Sequence, residues 1–110
     1  GCELVLVRAD APGELARRLG ALAEAELAAG RRVGMLVAEE DLRALAVRGV
    51  KVLSLGPLAS PERLARNLYA ALRCLEAEGL DVVLARDVDT QGLGLALRDR
   101  LRRAADRVVG

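Results

Sequence analysis

The sequence predicts an α/β domain: a three-layer α/β/α sandwich of Rossmann-like or flavodoxin-like type, with about five mainly parallel strands. Three observations point there. Short apolar runs alternate with longer amphipathic stretches four times along the chain, as successive βα units do. The helix-length stretches open on Pro or acidic residues and close on Gly. The chain has 110 residues, 53% of them hydrophobic, which suits one well-cored domain over residues 1–110.

The elements follow in order. Leu4-Val5-Leu6-Val7 is long enough for a buried strand and too short for a helix. Asp10, Pro12 and Glu14 give an N-cap, a first-turn proline and an acid facing the helix dipole. Leu15, Leu19, Leu22, Ala23 and Leu27 then recur at helical spacing, and Gly30 takes the C′ position. Val33 to Ala38 is a second strand. Glu39-Glu40-Asp41 opens a short helix whose apolar face is Leu42, Leu45 and Ala46, and Gly49 ends it.

Val50 to Leu55 is a third strand, interrupted by Lys51 and Ser54 and so less buried. Ser60-Pro61-Glu62 starts a helix with the stripe Leu64, Leu68, Ala71, Leu72 and Leu75, and Gly79 stops it. Asp81 to Ala85 is a fourth strand. After a polar loop, Leu93, Leu97, Leu101 and Ala104 line a last helix, and Arg107-Val108-Val109 forms a short fifth strand. The apolar first and fourth strands read as central and the third as an edge. That favours the order 3-2-1-4-5 over 2-1-3-4-5.

Composition excludes several chemistries. There is no His, so Ser-His-Asp and Cys-His catalysis are absent from this chain. Tyr69 is the single aromatic residue and cannot build a base-stacking platform. A net charge of +1 argues against a surface-wide sleeve for nucleic acid. No apolar run approaches the roughly 18 residues of a membrane span. Cys2 and Cys74 form no CxxC and no zinc set, and are expected to be reduced and inert. These features together predict a cytoplasmic protein without membrane contact or bound metal.

Ligands of open α/β sheets bind outside the carboxyl ends of the strands. Here those ends carry Asp10, Glu39-Glu40, Gly56-Pro57 and Arg86-Asp87. The acids are read as an N-cap and as first-turn residues that offset a helix dipole. A phosphorylation receiver fails on residues, because Leu55-Gly56 stands where the phosphoacceptor Asp would be and the only lysine, Lys51, lies within a strand. Gly92-Leu93-Gly94 is half a dinucleotide fingerprint, read either as close helix packing or as an anion site of backbone N–H groups. Arg98, Arg100, Arg102, Arg103 and Arg107 are read either as a solvated helix end or as a docking face.

The segment from Gly92 to Ala105 (GLGLALRDRLRRAA) resembles the C-terminal signature of two-domain threonylcarbamoyl-AMP synthases. Gly30 to Leu36, Val52 to Gly56 and Ser60 to Arg73 are similar to that family's second strand, third strand and following helix. Asp99 and Arg98 depart from the Asn and the apolar residue usual there. The resemblance implies the accessory domain of an enzyme that makes threonylcarbamoyl-adenylate from threonine, bicarbonate and ATP for adenosine 37 of tRNA. The catalytic YrdC-type domain, with ATP and Mg²⁺, would be the N-terminal domain of the same polypeptide, and any link to tRNA would be indirect. No catalytic residue carries over to this chain. Gly92, Gly94, Asp99, Arg100, Arg102 and Arg103 are the candidates for an anion or interdomain contact. The rival readings are a nucleotide- or anion-sensing domain and a tRNA or protein docking module.

Overall fold

The computed structural model describes residues 2–9, 11–45, 47–87, 103 and 105–109. The strands are β1 (Glu3–Val7), β2 (Val33–Val37), β3 (Val50–Ser54), β4 (Val82–Arg86) and β5 (Arg107–Val109). The helices are α1 (Pro12–Ala28) and α2 (Pro61–Ala77), and a single 3₁₀ turn occupies Glu39–Arg43. All five strands lie parallel in one sheet of order β3-β2-β4-β1-β5.

The period of two along each strand sends alternate side chains to opposite faces. Val5, Val7, Val33, Met35, Val37, Val82 and Leu84 meet Leu15, Leu19 and Ala23 of α1. Leu4, Leu6, Leu36, Val83 and Ala85 meet Leu64, Leu68, Ala71 and Leu75 of α2 on the other face. The sheet is therefore covered by α1 on one side and α2 on the other, the α/β/α sandwich expected from the sequence. Leu15, Leu19 and Ala23 of α1 and Leu64, Leu68, Ala71 and Leu75 of α2 take the buried positions that the spacing predicts, while the Leu72 side chain lies outside what the structure describes. Aliphatic side chains fill both layers, each buried Leu or Val contributing about 1.5–3 kcal/mol.

β3 is an edge strand, as its polar interruptions predict, and β5 pairs with β1 as the other edge. The expected order is corrected at one point: β1 and β4 exchange places, so β4 rather than β1 lies beside β2. Both strands are buried along most of their length, so apolar content does not rank them. Contacts at the amino edge accompany the β2–β4 pairing. Asp81 accepts the Arg32 N–H on its carboxylate at 2.7 Å. The N–H groups of Asp81 and Val82 donate back to the Arg32 carbonyl, and Arg31 donates to the Asp81 carbonyl.

The helix expected from Glu39 to Ala46 is instead the 3₁₀ turn, and Leu42 is 43% exposed rather than part of an apolar face. Two contacts stop an α-helix from forming. The Glu39 N–H donates to the Gly56 carbonyl, and Asp41 turns inward to Arg86.

At α1 the N-cap is Ala11, with Pro12 in the first turn; Asp10 lies outside the described residues. Ser60 holds the N-cap of α2 without a side-chain cap bond. Gly30 (φ +80°) and Gly79 (φ +70°) take the left-handed conformation just past the helix ends. The last helix lies outside the described residues except at Arg103, which is helical and exposed.

Candidate functional site: the carboxyl edge of the sheet

The chain leaves β1 and β2 toward the α1 face, while β4 sits between them. The carboxyl end of β4 is therefore flanked by two neighbours whose connections both leave on the α1 side. Arg86 ends β4 and Asp87 follows it. Each residue is tied to a different neighbour.

On the β2 side, Asp41 first closes its own turn, its Oδ2 accepting the Ala38 N–H at 2.8 Å. The same carboxylate accepts Arg86 Nε at 2.6 Å and Arg86 Nη2 at 3.2 Å. Asp41 is 5% exposed and the Arg86 side chain 15%, so this two-point pair is shielded from water. Arg86 also donates to the Asp87 carbonyl. On the β1 side, the Asp87 N–H donates to the Val7 carbonyl, and its buried carboxylate pairs with Arg8 at 3.1 Å. A line of alternating charge, Asp41–Arg86–Asp87–Arg8, thus runs across the ends of β2, β4 and β1.

Among the described residues, two further contacts at this edge capture backbone groups. The Glu40 carboxylate accepts the Leu58 N–H at 3.1 and 3.2 Å. Asn67 of α2 donates to the Leu55 carbonyl at 2.8 Å. Glu39 is exposed. Glu39, Glu40 and Asp41 lie in the first turn, as expected, and two of them also reach further: Glu40 accepts from a loop N–H and Asp41 is a buried ion-pair partner. The sequence signal was Arg86 itself, a charge closing the run Val82-Val83-Leu84-Ala85 at a strand end.

The amino edge carries a second network. Arg31 pairs with Glu26 at 2.8 Å and Glu3 at 3.3 Å, and Arg107 reaches the same two carboxylates. The hydrogen bond to Glu26 leads in raising the Arg31 pKa. The Arg32 backbone N–H holds the Asp81 carboxyl below its ordinary range, against the opposing effect of burial. Beside them lies a shallow cavity of about 580 Å³ lined by Cys2, Arg32, Glu76, Gly79, Leu80 and Asp81. Burial is the leading cause that pushes the Cys2 thiol up, with Glu76 adding to it.

Of the six residues singled out from the sequence, Gly92, Gly94, Asp99, Arg100 and Arg102 lie outside the described residues. Arg103 is described and exposed. Among the described residues no group of three or more His, Cys, Asp or Glu could hold a metal ion, and no helix is long and apolar enough to cross a membrane. Both cysteines are free, Cys2 half-buried and Cys74 exposed.

The family model described as threonylcarbamoyl-AMP synthase, C-terminal domain, matches residues 2–106. The threonylcarbamoyl-AMP synthase of Pyrococcus abyssi is 52% identical over 44 residues, 40% of this chain and 13% of that protein. The Bacillus subtilis synthase is 40% identical over 76 residues, 69% of this chain and 21% of that protein. Among solved structures, P. abyssi Sua5 complexed with L-threonine matches with a TM-score of 0.83 at 30% identity, over 99% of this chain and 30% of that one. A C-terminal Sua5 domain from Pyrococcus horikoshii matches with a TM-score of 0.76 at 28% identity, over 100% of this chain and 98% of that one. The chain spans about a fifth or less of the curated synthases it matches.

Proposed function

The chain belongs to the family of threonylcarbamoyl-AMP synthase C-terminal domains, and from that premise we propose that it is the accessory domain of a two-domain synthase. By itself it is non-catalytic. It packs against the N-terminal YrdC-type domain of the same polypeptide and helps to close or regulate the site that uses ATP, threonine and bicarbonate. ATP and Mg²⁺ belong to that other domain. The whole enzyme works in the cytoplasm and makes the threonylcarbamoyl-adenylate that feeds threonylcarbamoylation of adenosine 37 in tRNA, so its link to tRNA is indirect.

The observation that carries this reading is the extent of the match. The family resemblance runs over residues 2–106, while the same fold makes up only 30% of the P. abyssi chain solved with L-threonine. The carboxyl edge supports it further. Where an open α/β sheet would offer a ligand its polar groups, Asp41 and Asp87 are committed to Arg86 and Arg8. Among the described residues, ion pairs of this kind suit a rigid support for a neighbouring domain.

The test compares three proteins in an assay of ATP-dependent threonylcarbamoyl-adenylate formation: this chain alone, the full-length synthase, and the synthase lacking residues 1–110. The chain alone should give no adenylate, and turnover above background would overturn the non-catalytic assignment. The truncated synthase should lose turnover or bind its substrates more weakly. Unchanged kcat and KM would overturn the closing or regulating role.

A further inference from the structure

We draw no further inference here: the strongest candidate, the surface patch of exposed arginines Arg63, Arg66 and Arg73 along α2, is interrupted by the exposed acids Glu62 and Glu76 of the same helix, and nothing in the structure shows what covers it.

Discussion

Asp41 and Arg86 are 45 residues apart in the chain and meet with Oδ2 2.6 Å from Nε and Oδ1 3.2 Å from Nη2. The contact joins the connection after β2 to the carboxyl end of β4, the strand that the sheet places between β2 and β1. The pair is not a net source of stability by virtue of being buried, since desolvation opposes the attraction. Its effect is on position: with Asp41 turned inward, the 39–43 segment stays a tight 3₁₀ turn over the sheet edge.

Breaking the pair from one side should therefore be costly, and replacing both sides much less so. Asp41→Ala leaves the Arg86 guanidinium shielded and without its two-point carboxylate partner, at a cost of about 3 kcal/mol, or roughly 12–20 °C in Tm. Asp41→Leu combined with Arg86→Met should recover most of that loss. Urea denaturation decides, and a double variant as unstable as the sum of the singles would mean that the two residues act independently.

The sequence showed what is local. Pro12, Gly30 and Gly79 mark helix ends because their backbone requirements are met within a few residues. The Leu15–Leu19 and Leu64–Leu68 stripes are legible because helical spacing fixes the buried face. The exchange of β1 and β4 was not legible, because both strands are apolar on two faces and the contact that joins β4 to β2, Asp81 with Arg32, spans 49 residues. Asp41 escaped for a similar reason. A first-turn acid looks the same in sequence whether it faces water or turns inward to a partner on another strand.

Gly34 lies on β2 beneath α2, and a Cβ there would come within 2.6 Å of Leu80 Cδ1 and 3.2 Å of Leu75 Cδ2. Leu80 can swing its methyl group aside, so Gly34→Ala should cost only about 1 kcal/mol. Gly34→Val also presses on Leu75, which is fully buried, and should cost about 2–3 kcal/mol. Thermal denaturation of the two variants checks the order. Equal stability of the parent and the Val variant would show that α2 is not seated against β2 at this glycine.

The two thiols should differ in reactivity. Cys74 is exposed on α2, whereas Cys2 is half-buried with its pKa raised, first by burial and then by Glu76. The thiolate is the reactive form. At pH 8, iodoacetamide should modify Cys74 well before Cys2, as followed by mass spectrometry of the intact chain. Unfolding in urea should abolish the difference. Equal rates in the folded chain would place Cys2 in open solvent.

Asp81 makes the amino edge sensitive to acid, and the sign follows from its depressed pKa. The main cause is the hydrogen bond from the Arg32 backbone N–H, with the Arg32 charge lesser. That bond favours the carboxylate, which the unfolded chain protonates near pH 4. The contribution of Asp81 is therefore complete above about pH 4 and is lost as the pH falls through its lowered folded value. Asp81→Asn should lower the urea midpoint at pH 6 and flatten the fall in stability between about pH 4 and pH 2. A carboxyl ¹³C titration should place the Asp81 midpoint below the ordinary aspartate range. Because a backbone hydrogen bond leads rather than a surface charge, raising the salt to 0.5 M should leave most of that shift in place. Collapse of the shift in salt would mean that the Arg32 guanidinium, 3.6 Å away, is the main cause.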